Sequence, residues 1–289
     1  MKGIILAGGL GTRLHPSTIS VSKQLLPIYD KPLIYYPLSN LLSAGINEIL
    51  IISTASNISL FRQLFGDGSF LGIELKYEVQ DNPNGIAEAF IIGENFINGD
   101  DVTLILGDNI FYGYQVEHCL NKLATKKTAG ANIFAYKVPD PQRYGVVEFN
   151  DNNSVLSIEE KPKAPKSNYA VTGLYVYDAL VTDLSKSLNP SERGELEITD
   201  LNNLYLQKDS LNVVLLDSGT AWLDAGTPDS LLEASHFVQT IQKRQLIQIA
   251  CLEEIALNQN FISEQEFLKL AANAPMNKYG EYLRSLLNS

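Results

Sequence analysis

Cysteine is scarce in this chain: two residues, Cys119 and Cys251, in 289. They lie far apart and lack metal-ligand spacing, which argues against a disulfide framework and against a zinc site. Long apolar runs are missing too. No stretch reaches the roughly 20 apolar residues that a membrane helix needs. The apolar start, residues 1–7, is too short for a secretory signal and is ended by Gly8, Gly9 and Arg13. Positive charge is in deficit, with 22 Lys and Arg against 33 Asp and Glu, a net −11. Nucleic-acid affinity rests on phosphate neutralisation, so such a chain is a poor general binder of nucleic acid. No membrane or nucleic-acid partner is expected, and the setting reads as reducing and cytoplasmic. Low-complexity segments and repeats of 20–50 residues are also lacking.

What is present is 45% hydrophobic sequence, enough for a large core without covalent staples. The first half alternates strand and helix signals. Residues 2–7, 48–53, 74–80 and 102–106 read as strands. Residues 32–44, 57–65 and 86–96 read as helices, the first with Pro32 near its start and Gly45 past its end. Repeated βα units of this kind indicate a parallel sheet covered on both faces. The middle changes character. Residues 144–149 and 155–159 flank Asp151-Asn152-Asn153, a hairpin signal, and residues 169–177 add a strand. Residues 212–217 could return to the main sheet. From Pro228 onward the pattern is helical: Leu231, Ala234, Val238 and Ile241 recur at helical spacing, and Ser263 with Glu266 forms a capping box. The expected fold is α/β: a Rossmann-like, mostly parallel sheet flanked by helices, with an antiparallel β insertion and a helical C-terminal extension. Residues 1–227 form the core, in two parts, about 1–110 and about 111–227. Residues 228–289 pack on it.

Charge is uneven along the chain. Residues 1–31 hold Lys2, Arg13, Lys23 and Lys31 against one acid, Asp30. That local excess suits a small polyanion better than a long one. Directly after the first strand comes Leu6-Ala7-Gly8-Gly9-Leu10-Gly11-Thr12-Arg13-Leu14. Glycines there let the backbone approach phosphate oxygens closely. No Gly-Lys-Ser/Thr follows, so it is not a Walker A loop, and Leu14 stands where the third glycine of a dinucleotide fingerprint belongs. A Gly-rich turn alone is weak evidence. Arg13 and Lys23 beside it supply two cations able to clamp a triphosphate.

Gly9-Leu10-Gly11-Thr12-Arg13-Leu14-His15-Pro16 and Ser22-Lys23-Gln24-Leu25-Leu26-Pro27 resemble the signature of the sugar nucleotidyltransferases. Tyr29-Asp30-Lys31-Pro32-Leu33-Ile34-Tyr35-Tyr36-Pro37, Gly107-Asp108-Asn109-Ile110-Phe111-Tyr112-Gly113 and Arg143-Tyr144-Gly145-Val146-Val147-Glu148-Phe149 look like the thymidylyltransferase branch. Glu159-Glu160-Lys161-Pro162, the segment Arg193 to Asp200, the segment Ala221 to Thr227, and Tyr279-Gly280-Glu281-Tyr282-Leu283 extend the match to nearly the whole chain. A small departure is Ala225, where the family usually has Thr.

The resemblance implies dTTP and glucose 1-phosphate as substrates and Mg²⁺ as cofactor. It implies a homotetramer with feedback by dTDP-rhamnose at a subunit interface. The C-terminal helices could form part of that surface, or simply pack on their own domain. It also implies site residues. Nucleotide contacts fall to Leu6, Gly8, Gly9, Gly11, Thr12, Arg13, Lys23, Gln24, Gln80, Gly85 and Asp108. Sugar-phosphate contacts fall to Asn109, Gly145, Glu160, Lys161, Val171, Tyr175, Arg193, Thr199 and Trp222, although a core role for Trp222 is equally open. Arg13, Lys23, Lys161 and Arg193 carry the catalytic charge, and Asp108 and Asp224 hold the metal.

The chemistry fits this equipment. A phosphate monoester has a second pKa near about 6, so its oxygen is already a nucleophile at neutral pH. The missing His–Asp or Ser–His constellation is therefore no obstacle. The barrier lies in bringing two polyanions together, which positioning and electrostatics must overcome. A sibling enzyme using UTP differs by one methyl in its base. A catalytically silent binding module would be expected to lack a metal acid or phosphate cation, and all six are here. A dinucleotide-dependent oxidoreductase is weakened by Leu14 and by the Arg13/Lys23 pair.

Overall fold

The computed structural model describes residues 1–287 apart from Leu10, Asp151 and Asn153. Strands occupy β1 (Lys2–Ala7), β2 (Pro27–Ile28), β3 (Lys31–Pro32), β4 (Glu48–Ser53), β5 (Glu74–Val79), β6 (Val102–Leu106), β7 (Asn109–Tyr112), β8 (Ala131–Lys137), β9 (Gly145–Phe149), β10 (Val155–Glu160), β11 (Tyr169–Tyr177), β12 (Leu211–Leu215) and β13 (Ala221–Asp224). Helices occupy α1 (Tyr35–Ser43), α2 (Ile58–Phe65), α3 (Glu88–Ile92), α4 (Glu94–Ile97), α5 (Tyr114–Ala124), α6 (Val181–Lys186), α7 (Ile198–Gln207), α8 (Pro228–Gln245), α9 (Leu252–Asn258), α10 (Glu264–Asn273) and α11 (Lys278–Ser285).

The fold is a mixed α/β sheet with helices on both faces. Strands β5, β4, β1 and β6 run parallel side by side. Strand β11 joins β6 antiparallel, and the β9–β10 hairpin and β8 pair with β11. Strand β12 closes the far side parallel to β8. The central strands are apolar throughout because both faces are buried. Pleating sorts their side chains. Ile5, Ala7, Ile49 and Ile51 face one layer, while Ile4, Leu6, Leu50 and Ile52 face the other. The first layer is covered by Leu38, Leu41 and Leu42 of α1 and by Leu252, Ala256, Phe267, Ala271 and Leu283 from the C-terminal helices. The second is covered by Phe90 of α3, Val181 of α6, and Leu201 and Tyr205 of α7. Each fully buried Leu, Ile, Val or Phe among these contributes about 1.5–3 kcal/mol relative to exposure.

Several boundaries differ from the sequence pattern. The first helix starts at Tyr35, not Pro32, because Lys31 and Pro32 pair with Pro27 and Ile28 as a small ribbon. The expected helix 86–96 is two short pieces, α3 and α4, which meet at Gly93. A Cβ there would press on Ile4 and Leu50 at 3.2 Å, so the break lets the chain lie close against the sheet. The 144–149/155–159 hairpin forms as expected, but Asp151 and Asn153 of its turn lie outside the described residues. Residues 211–215 do return to the main sheet. The sequence pattern gave no sign of α5, β8 or the β7–β13 ribbon. No helix among the described residues is long and apolar enough to cross a membrane.

At the start of α10 the Ser263 hydroxyl accepts the Glu266 N–H, and the Glu266 carboxylate accepts the Ser263 N–H at 2.8 Å. Ser263→Ala is expected to cost about 1 kcal/mol of stability, read by urea denaturation. An unchanged midpoint would remove the cap from the set of stabilising contacts.

Candidate active site

The carboxyl ends of β1 and β6 open into a cavity of about 850 Å³, the position where ligands of open α/β sheets gather. One wall is the loop after β1 with Gly8, Gly9, Thr12 and Arg13, joined by Lys23, Gln24, Gln80 and Gly85. The opposite wall carries Gly145, Glu160, Lys161, Val171, Tyr175, Arg193 and Thr199. Leu6, Asp108, Asn109, Trp222 and Asp224 lie along it too. The cavity thus brings together every sequence-predicted site residue except Gly11. That glycine sits in the left-handed region at φ 59° and its carbonyl accepts the Thr18 hydroxyl, so it turns the loop rather than lining the cavity.

The acid pair is built by the small ribbon. Strand β7 starts one residue after Asp108, and β13 ends at Asp224. Their antiparallel register sets Asp224 opposite Asn109, and the Ala225 N–H donates to the Asp108 carbonyl at 3.0 Å. Burial pushes the Asp108 carboxyl up, but the Lys23 ammonium paired with it and an N–H from Asn109 more than offset this, leaving it below the usual carboxylate range. Asp224 has no such close cation; its nearest is Arg143 at 3.8 Å. Burial, and then the charge of Asp108, hold the Asp224 carboxyl above its ordinary value. Two hard-oxygen ligands repelling one another in a buried site suit a divalent cation such as Mg²⁺. Among the described residues no cluster of three or more His, Cys, Asp or Glu forms a metal cage, so further ligands would have to come from substrate or water.

The other side chains differ in how freely they face the cavity. Arg13 is exposed and engages no hydrogen bond or ion pair among the described residues. Lys161 adopts φ 46° and lies 3.4 Å from Glu160. Arg193 is held by both carboxylate oxygens of Glu197 at 2.8 Å and reaches Glu160 at 3.5 Å and Glu195 at 3.3 Å. The Thr199 hydroxyl donates to Glu160 at 2.6 Å. The Asn109 amide is fully used: its oxygen accepts the Trp222 indole N–H at 2.6 Å and the Gly173 N–H at 3.1 Å, and its nitrogen donates to Asp108. Asn109 therefore ties the cavity floor together. Trp222 packs in the core while one surface lines the cavity. Gln24 is spoken for by the Ser22 hydroxyl and the Gly8 carbonyl.

Gly85 lines the cavity and also meets another part of the chain. It stands at φ 106°, and a Cβ there would lie 2.3 Å from the Leu196 carbonyl oxygen. Leu196 N–H donates to Asn84 at 2.6 Å and its carbonyl accepts the Ala87 N–H. The missing side chain lets the loop after β5 and the Arg193 loop touch.

Sequence reasoning assigned no role to Arg143, Tyr144, Glu195 or Glu197, all of which line the cavity. Burial, and then the Asp224 charge, push the Tyr144 phenol up to about 12, and its ring packs on Trp222 at 5.1 Å. Arg143 and Tyr144 stood inside a quoted motif. The signal that could have found them was their place just before a strand of the insertion.

Residues 2–241 match the nucleotidyl transferase family, and the chain belongs to that family of enzymes. Over its full length it is similar to glucose-1-phosphate thymidylyltransferases. That of Neisseria meningitidis serogroup A is 56% identical over 287 residues, covering 99% of each chain. That of Mycolicibacterium smegmatis is 53% identical over 288 residues, covering 100% of this chain and 99% of the relative. Among solved structures, a Bacillus anthracis protein assigned as a glucose-1-phosphate thymidylyltransferase, in complex with a sucrose, superposes with a TM-score of 0.76 at 42% identity. The match covers 82% of this chain and 94% of that one. A UDP-glucose pyrophosphorylase complexed with UDP-glucose shares the fold alone, with a TM-score of 0.71 at 22% identity over 83% of this chain and 98% of that one.

The raised Asp224 carboxyl has a stability consequence. Its charged form is disfavoured in the folded protein, so its contribution to stability falls as pH rises above the ordinary aspartate value. Without metal at neutral pH, Asp224→Asn is therefore expected to raise the Tm, by about 1–3 °C for a chain of this size. Calorimetry in chelator reads this directly. A lower Tm in the variant would mean that the repulsion with Asp108 is already relieved.

Proposed function

We propose that the chain transfers a thymidylyl group from dTTP to α-D-glucose 1-phosphate, giving dTDP-glucose and pyrophosphate, with Mg²⁺ as cofactor. The observation that carries this is a single cavity. On one side lie a glycine loop with Arg13, Lys23 and Gln80, on the other Glu160, Lys161, Arg193 and Thr199, and the Asp108/Asp224 pair lies along it. The full-length likeness to glucose-1-phosphate thymidylyltransferases supports the choice of both substrates.

An oxygen of the glucose 1-phosphate monoester attacks the α-phosphorus of dTTP. The new P–O bond joins the two phosphates, and the bond to the β-phosphate oxygen breaks, releasing pyrophosphate. No proton need move to create the nucleophile. Gly8, Gly9 and Thr12, on the loop that Gly11 turns, cradle the triphosphate, with Arg13 on its charge. Lys23, now paired with Asp108, is aimed at the reacting phosphates. Lys161 and Arg193 hold the sugar phosphate. Leu6, Gly8, Gln24, Gln80 and Gly85 surround the base. Gly145, Glu160, Val171, Tyr175 and Thr199 meet the sugar hydroxyls, with Asn109 and Trp222 as the floor.

Charge balance supports the metal. The cavity lining holds five cations, Arg13, Lys23, Arg143, Lys161 and Arg193, and five carboxylates, Asp108, Asp224, Glu160, Glu195 and Glu197. Such a lining is formally neutral, yet two polyanions must meet in it. Asp108 and Asp224 would hold the Mg²⁺, which when bound offsets phosphate charge. A homotetramer with dTDP-rhamnose feedback at a subunit interface completes the proposal. Support comes from apolar side chains left uncovered on the C-terminal segment, Leu232, Leu246 and Met276, at 58%, 83% and 89% exposure.

A panel of nucleoside triphosphates and sugar 1-phosphates, scored by kcat/KM for pyrophosphate release, tests the assignment. dTTP with glucose 1-phosphate should lead; a different leading pair would replace it. Asp108→Asn is expected to lower kcat by about a hundredfold or more with the melting curve retained, and near-normal turnover would remove Asp108 from the metal site. Lys161→Ala should raise the KM for glucose 1-phosphate well above any change for dTTP. The reverse pattern would show that the two phosphate subsites are exchanged.

A further inference from the structure

Three buried amides, Gln24, Gln80 and Asn109, line the cavity, and they differ in what they leave for a ligand. In Gln24 and Asn109 both the amide oxygen and the amide nitrogen are engaged within the protein, as described. Gln80 is 5% exposed, and its nitrogen has two protein acceptors: the Gly85 carbonyl at 3.1 Å and a carboxylate oxygen of Glu88 at 2.8 Å. Its oxygen has no protein donor among the described residues and faces Gly8; a Cβ on Gly8 would stand 2.8 Å from it. Glu88 does not line the cavity. Its other oxygen accepts the Asn84 amide at 2.8 Å, which fixes the carboxylate.

A carboxylate can only accept. Turning the Gln80 amide over would set its oxygen against the Glu88 carboxylate and the Gly85 carbonyl, leaving acceptors facing acceptors in a buried site, which is costly. The amide therefore has one allowed orientation, with its oxygen toward the cavity. Around it, the N–H groups of Gly8 and Gly85 have no protein acceptor among the described residues. The fixed acceptor complements the ring N–H of an imide edge, and unpaired N–H groups on the same side of the cavity suit the two carbonyls beside that N–H. The same acceptor mismatches cytosine, whose ring nitrogen at that place is itself an acceptor.

Resting on the assignment of dTTP as substrate, we propose that Glu88 is a specificity-positioning residue: by accepting the Gln80 N–H it fixes the Gln80 oxygen toward the base and selects thymine or uracil over cytosine. Glu88 touches no substrate; it acts through Gln80.

The test compares kcat/KM for dTTP, UTP and dCTP in the wild type, Glu88→Gln and Asn84→Ala, with KM for glucose 1-phosphate alongside. An amide at position 88 can itself pair with either Gln80 orientation, so only the Gly85 carbonyl still opposes the turned-over amide. Glu88→Gln should therefore cut the dTTP/dCTP ratio by about tenfold or more. The dTTP/UTP ratio and the KM for glucose 1-phosphate should stay put. Asn84→Ala should move the dTTP/dCTP ratio the same way by less. An unchanged dTTP/dCTP ratio in a folded Glu88→Gln protein overturns the proposal, as does an equal loss with all three nucleotides, the mark of a structural role alone. If Glu88→Gln does not fold, the ratio in Asn84→Ala decides in the same manner. A wild type that turns over no dTTP fails differently: it removes the substrate assignment itself.

Discussion

Two partly buried carboxylates brought together on the cavity lining are the constraint on which the rest of the site depends. The β7–β13 ribbon sets Asp224 opposite the residue after Asp108, at the mouth of the parallel sheet. Left alone, that arrangement is unfavourable. Lys23 resolves half of it by pairing with Asp108, and Asp224 keeps the remainder as a carboxyl that resists ionisation. Strain of this sort is common where a site is arranged for a ligand rather than for its own stability. A cation would relieve that repulsion, and nucleotidyl transfer handles negatively charged phosphates. One divalent ion can satisfy both.

The same economy shows across the cavity. Arg193 is held by Glu197, Glu195 and Glu160, and Thr199 donates to Glu160. These bonds hold that side of the cavity in place. The loop after β5 is joined to it through Gly85 and Leu196, which touch because Gly85 carries no side chain.

Much of this was legible in the chain. Strands with both faces buried announce themselves as apolar runs, so β1, β4 and β6 fall where the pattern puts them. The capping box at Ser263 is a local signal and forms locally. Pro32 misled because its fixed φ suits a first helical turn and an edge ribbon alike. Gly93 was passed over because one glycine in a helical pattern does not reveal the sheet behind it. The β7–β13 ribbon was illegible for a stronger reason: its strands are short and more than a hundred residues apart in sequence, so no period joins them. Asp108 could be suspected as an acid at a strand end, but nothing local marks Asp224. Its candidacy came from resemblance to a family. Resemblance likewise supplied Lys161 and Arg193, while Arg143, Glu195 and Glu197 needed the folded chain.

The central claim is that a formally neutral cavity brings two polyanions together only with a divalent cation at the acid pair. The most direct measurement is the initial rate of pyrophosphate release from dTTP and glucose 1-phosphate, first in chelator and then on titration with Mg²⁺. A rate at background without metal that rises saturably on its addition is the expected result. Undiminished turnover in chelator, or none at any Mg²⁺ concentration, would contradict it.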